Sequence, residues 1–149
     1  MKLPIINKNW IFIGLLLLVL LGLTVFWPKG GIRIDSPELV AKKFYTWWHK
    51  YPGDPLADKA HHKTKYLTAN LVKRVDEVIS QPKYKGPDPL TFMHTTPNRI
   101  DGTLAQINGN KALLFIEQTL DPNPLPYRIK VELVFVDGKW KIDRVSPAF

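Results

Sequence analysis

From Trp10 to Trp27 the chain reads WIFIGLLLLVLLGLTVFW, eighteen residues without a charge, and no water-soluble surface can be made from such a segment. Between the two tryptophans, thirteen of sixteen residues are Ile, Leu, Val or Phe. On an insertion scale these contribute about −4 to −8 kcal/mol. At 1.5 Å per residue a helix of this length spans about 27 Å, close to the hydrocarbon thickness of a bilayer. Trp10 and Trp27 bracket the run where interfacial aromatics sit, and Lys8 and Lys29 lie just outside, able to reach the headgroups. The segment is expected to be a transmembrane helix over 10–27, with residues 1–9 as a cytoplasmic tail.

A cleaved signal peptide is the competing reading. It needs small residues at the cleavage point, whereas this run ends Thr24-Val-Phe-Trp-Pro-Lys. An uncleaved anchor fits better. Lys2 and Lys8 face Lys29 and Arg33 across the span, so the positive-inside rule is nearly balanced. The short lysine-bearing start favours a single-pass protein of the bacterial inner membrane, with its C-terminal part extracytoplasmic.

Pro28-Lys29-Gly30-Gly31 breaks the helix, and residues 28–35 read as a tether. Residues 36–149 then suffice for one folded domain. Ser36-Pro37-Glu38 is a helix start, with an N-cap, proline at the first position and an acid at the positive dipole end. Val40, Phe44, Trp47, Trp48 and Tyr51 follow at helical spacing, with Lys42, Lys43, Thr46, His49 and Lys50 on the other side. Because Trp47 and Trp48 cannot point the same way, one is expected at a cavity mouth or partner surface. Residues 52–66 read as a polar loop. Thr68 caps a second helix whose buried stripe is Leu71, Val72, Val75, Val78 and Ile79, with Lys73, Arg74, Asp76 and Glu77 solvated.

Past residue 98 the period changes from 3.6 to 2. Ile100 to Gln106 begins an alternating strand, and Asn108-Gly109 signals a hairpin. Ala112 to Leu120 returns, and the proline-rich Asp121 to Pro126 is expected to be a loop. Ile129, Val131, Leu133 and Phe135 alternate with polar neighbours, Asp137-Gly138 turns the chain, and Trp140, Ile142 and Val145 complete the sheet. The predicted fold is α+β, two helices packed on a four-stranded antiparallel sheet.

The ending VELVFVDGKWKIDRV resembles the last hairpin of the nuclear-transport-factor-2-like (cystatin-like) superfamily. The segments PELVAKKFYTWW, YLTANLVKRVDE and GPDPLTF are similar to an uncharacterised bacterial domain of that superfamily found in secreted and membrane-anchored proteins. Leu90 stands where that domain usually has an aromatic residue. The resemblance implies a curved sheet wrapping a helix and a cone-shaped pocket between helices and sheet. It implies no single activity, because the superfamily holds isomerases, dehydratases, transport factors and membrane-anchored assembly domains.

Chemistry must therefore be sought in residues. The chain has no cysteine, which excludes disulfides, thiol nucleophiles, cysteine zinc sites and a lipid-modified cysteine. Its only serines are Ser36, Ser80 and Ser146, none in a nucleophile motif, and no Gly-rich phosphate loop occurs. No catalytic residue, cofactor or metal is assigned. Asp58, His61 and His62 invite a metal reading, but a solvated polar loop is the favoured one. In isomerase-like relatives an acid and a tyrosine work in the cone. Tyr45, Trp48, His94 and Asp101 are accordingly the ligand-pocket candidates.

The net charge of +8 permits acidic partners; Lys59, Lys63, Lys65, Lys73, Lys83, Lys85 and Arg74 read first as a solvated face, with attraction to lipid headgroups as the alternative. No nucleic-acid motif is present. The expectation is a non-enzymatic binding or assembly module of the cell envelope. It would be held in the lipid bilayer by residues 10–27 and partnered by a second copy through the sheet face or by an envelope-complex protein. A small-molecule-binding protein or isomerase-like enzyme is the alternative.

Overall fold

The computed structural model describes residues 35–148 apart from residue 83. The expected tail, membrane span and most of the tether lie outside the described residues. Among the described residues no helix is long and apolar enough to cross a membrane.

Helix α1 spans Pro37–His49. Ser36 is its N-cap, with Oγ accepting from the Leu39 N–H at 3.3 Å. Helix α2 spans Ala69–Ile79 and is capped by Thr68, whose Oγ1 accepts from the Leu71 N–H at 3.1 Å. Between them the chain makes a short 3-10 turn, Ala60–His62. The two helices precede an antiparallel sheet of β1 (Arg99–Gly102), β2 (Gln106–Asn108), β3 (Lys111–Leu120), β4 (Asn123–Val136) and β5 (Lys139–Pro147).

The sheet has five strands rather than four, because the expected strand 100–106 is split. β1 and β2 both pair with the same edge of β3, at Ile116–Thr119 and at Lys111–Leu113 respectively. The break at 103–105 is held by side chains. Thr103 Oγ1 accepts from the Phe115 N–H at 2.9 Å, and the Ala105 N–H donates to Glu38 Oε1 at 2.8 Å. A backbone donor without a ladder partner is thus satisfied from the first turn of α1.

The proline-rich segment also differs from expectation. β4 begins at Asn123, directly opposite Leu120, and the register resumes only at Tyr127 opposite Gln118. Pro124, Leu125 and Pro126 fall in the interruption, where a residue lacking an N–H costs the ladder nothing. The last hairpin follows its sequence signal. Asp137 and Gly138 both have positive φ, 52° and 73°, the conformation of a type I′ turn.

β5 explains why Trp140, Ile142 and Val145 break a period of two. Ile142 faces Leu133 while Arg144 faces Glu132, so Asp143 is an extra residue, a bulge that resets the alternation. The bulge also anchors α2: Thr68 Oγ1 donates to Asp143 Oδ1 at 2.7 Å, and Arg74 Nη2 donates to the Asp143 carbonyl. Arg74 is therefore half-buried, not solvated. On α2 only Leu71 and Val75 are fully buried; Val72, Val78 and Ile79 are half-buried at the rim.

The core lies between α1 and the inward rows of β3, β4 and β5. Val40, Ala41, Phe44, Tyr45 and Trp48 meet Leu114, Ile116, Ile129, Val131, Leu133 and Ile142, with Leu90 closing one end. The buried stripe of α1 is thus rotated toward Tyr45 compared with the sequence reading, and Trp47 and Tyr51 are left half-buried beside it. Trp48 is the inward tryptophan.

Candidate functional site

Where the resemblance implies an open cone, side chains fill the space. Phe44, Tyr45, Trp48, Leu90, Leu114, Ile116, Ile129 and Leu133 are all essentially inaccessible. Their polar ends are bound internally. The Tyr45 hydroxyl donates to the Leu90 carbonyl at 3.1 Å, and burial together with the negative Asp88 pushes its pKa well up.

A cleft of about 350 Å³ remains at the mouth, lined by Trp48, His49, Asp54, Asp88, Thr91 and His94 among others. Its inner wall is a polar relay built by three elements. Trp48 Nε1 donates to Asp88 Oδ2 at 2.6 Å, and the Leu90 N–H donates to Asp88 Oδ1 at 2.7 Å. Burial raises the Asp88 carboxyl above its ordinary value, against the opposing effect of these donors. Beside it, His49 Nε2 donates to Gln118 Oε1 at 3.0 Å, and fully buried Gln118 donates from Nε2 to the Thr91 carbonyl at 3.0 Å. Burial lowers the His49 pKa, partly offset by Gln118, so the neutral imidazole is favoured, with its lone pair on Nδ1.

The four residues expected to share a pocket are dispersed. Tyr45 is sealed behind the cleft, Trp48 forms its inner wall, and His94 sits exposed on its rim. Asp101 lies on edge strand β1, exposed and paired with Arg99 at 2.6 Å, and does not line this cleft. Sequence reasoning missed Asp88 and His49. The helical spacing puts His49 on the side of α1 opposite the apolar stripe, but a rotation of one position carries it to the β3 side. The signal for Asp88 was the GPDPLTF segment itself, in which an acid between prolines precedes a buried Leu-Thr pair.

Residues 61 and 62 also depart from expectation. His61 is completely buried rather than solvated, and its acidic neighbour is Asp76 of α2, not Asp58. Both imidazoles approach Asp76 Oδ1, each Nε2 at 2.9 Å.

The outward face of the sheet is mixed. Leu113 and Phe115 of β3 and Val134 of β4 are half-buried there, flanked by exposed Val136. Across the strands Arg128 pairs with Glu117 and lies 5.6 Å over the Phe115 ring, while along β4 Lys130 pairs with Glu132 at 2.9 Å. A shallow groove of about 690 Å³ crosses this face, bordered by Ile107, Lys111, Leu113, Glu132, Val134 and Arg144.

Two helices laid on an antiparallel sheet that closes through a glycine-turn hairpin are the layout that the resemblance of the last hairpin implies. No family model matches the chain, and neither does any curated protein. Among solved structures it is similar to a chain of the type VI effector–immunity complex Tae3–Tai3 from Ralstonia pickettii. The TM-score is 0.62 at 23% identity, covering 77% of this chain and 97% of that one. It is also similar to a protein of unknown function from Bacteroides thetaiotaomicron, with TM-score 0.51, 21% identity, and 74% and 85% covered. The resemblance is one of fold, to bacterial proteins that include a member of an effector–immunity pair.

Proposed function

We propose that the chain is a membrane-tethered binding module of the bacterial envelope whose partner is another protein, in the manner of an effector–immunity pair. The observation that carries this reading is the filled interior: the fold's usual place for small-molecule chemistry is occupied by Phe44, Tyr45, Trp48 and Leu90. Recognition then falls to the outside. The outward sheet face offers Phe115, Leu113, Val134 and an arginine among paired charges, a composition suited to a non-obligate protein interface. A net charge of +8 sets two copies against each other and favours a less basic partner over self-association. The apolar run 10–27 would hold the domain at the outer surface of the inner membrane, where a partner entering the envelope is met.

The test has two parts. Protease added to intact spheroplasts should digest the domain, as followed by an antibody to its C-terminal part; protection until lysis would reverse the topology. Cells expressing the chain together with candidate effectors of the same bacterium should survive one of them. Phe115→Glu combined with Val134→Glu should abolish that survival while leaving folding intact. Survival unchanged by the double variant would remove the sheet face from the proposal.

A ligand-binding or isomerase-like role is favoured by one observation, the meeting of Asp88 and His49 at the cleft. Both Asp88 oxygens already accept from protein donors, which leaves His49 Nδ1 as the group available to a ligand. His49→Gln would impair this role and leave partner binding at the sheet face untouched.

A further inference from the structure

We infer that His61, His62 and Asp76 form a binding site for a divalent transition-metal ion of the zinc type, clamping the 51–66 connection onto α2. The three donor atoms already lie within 4.8 Å of one another, with each Nε2 2.9 Å from Asp76 Oδ1. Tetrahedral zinc with bonds near 2.0–2.1 Å sets its ligands about 3.3 Å apart. Each Nε2–Oδ1 separation has to open by about 0.4 Å, and the two Nε2 atoms, no more than 4.8 Å apart, have to settle at the same spacing.

Local structure brings consecutive histidines to one side. Lys59 enters the turn with a left-handed φ of 50°, and the Ala60 N–H donates to the Pro55 carbonyl at 2.8 Å, fixing the turn that carries both rings. Their centroids are 4.5 Å apart. Asp76 projects from α2, a helix that is tied to Asp143 of β5 by its N-cap Thr68 and, two residues before Asp76, by Arg74. Two ligands on a tight turn and one on a helix give the preorganisation a metal site requires.

The protonation chemistry permits it. His61 is fully buried, yet its Nδ1 has no hydrogen-bond partner. Nothing at Nδ1 locks the tautomer, so Nε2 can present a proton to Asp76 or a lone pair to a cation without breaking another bond. Two neutral nitrogens and one carboxylate oxygen suit zinc and its neighbours, not magnesium or calcium, which take oxygen. The His62 and Asp76 side chains keep 45% and 36% of their exposure, which gives an entry path and leaves a fourth position to water.

Titration of the full chain in detergent with ZnCl2 should give one strong site per chain. Zinc at a hundredfold excess over Kd should raise the melting temperature by roughly 5–10 °C, with MgCl2 giving no shift. Cobalt should show the visible bands of four-coordinate Co2+. His62→Gln, at an exposed side chain, and Asp76→Asn should each weaken zinc binding at least tenfold, while His94→Gln leaves it unchanged. Absence of a one-to-one site, or affinity that survives His62→Gln, would overturn the inference. If Asp76→Asn fails to fold, His62→Gln and the cobalt spectrum decide alone.

Discussion

Trp48 Nε1 and Asp88 Oδ2 are 2.6 Å apart, and this one hydrogen bond joins the middle of the core to a half-buried acid in the wall of the cleft. The indole supplies most of its area to the core and its single donor to the carboxylate. Trp48→Phe keeps most of the packing and removes the donor, leaving one Asp88 oxygen unpaired. We expect a loss of about 1.5–3 kcal/mol by urea denaturation, the range for a hydrogen bond to a charged group. A change under 0.5 kcal/mol would mean that water replaces the indole there.

Asp88 also makes stability depend on pH. Burial raises its folded pKa above the unfolded value, so the folded chain holds this proton more tightly than the unfolded one. Ionisation therefore costs stability, and that cost appears as pH rises from the unfolded pKa through the folded one. Compared with Asp88→Asn, whose side chain does not titrate, the native chain should gain stability as pH falls from neutral toward the ordinary carboxylate range. Parallel melting curves for the two proteins across that range would contradict this.

Tyr45→Phe removes a buried hydroxyl whose partner is the Leu90 carbonyl at 3.1 Å. The carbonyl is left dry, and a loss of about 1–3 kcal/mol follows. Because the hydroxyl faces the core and not the cleft, the variant should leave any small-molecule binding at the cleft unaltered. Thermal melts and a binding titration, run side by side, separate the two effects.

Thr68 does two jobs at once, accepting from Leu71 N–H to cap α2 and donating to Asp143 on β5. Thr68→Ala should cost about 1–2 kcal/mol, and Thr68→Ser much less. A double-mutant cycle with Asp143→Ala should give a coupling energy of at least 0.5 kcal/mol. Strict additivity would show that the cap alone matters.

Gly138, at φ 73°, has open space where a Cβ would stand, so only the backbone resists substitution. Gly138→Ala should cost about 1–2 kcal/mol, the left-handed penalty for an L-residue. Unchanged stability would mean that the turn relaxes to another type.

Much of this architecture was legible because it rests on local chemistry. Ser36-Pro37, Thr68 and Asp137-Gly138 mark element boundaries through groups that act within four residues, and each stands where the residues indicate. Three of the misreadings share one cause, long-range satisfaction of polar groups. Glu38 reaching Ala105 splits the first strand, and Asp76 drawing in His61 buries a residue from a loop that reads as solvated. Arg74 is drawn off the surface by the Asp143 carbonyl. The cleft was obscured in the same way, since Asp88, His49 and Gln118 come from segments far apart in the chain and only their hydrogen bonds unite them.

The extra residue at Asp143 divides β5 into two stretches whose alternation is out of phase: Ile142 faces the core from one, and Val145 must do so from the other. Residue count in this strand is accordingly a stronger constraint than residue type. Substitutions along Lys139–Pro147 alter one contact each. Removing a single residue would carry every side chain on one side of the bulge to the opposite surface, and would strand the cap of α2 with no acid to hold it. The strand behaves like a reading frame, tolerant of changed letters and intolerant of a missing one.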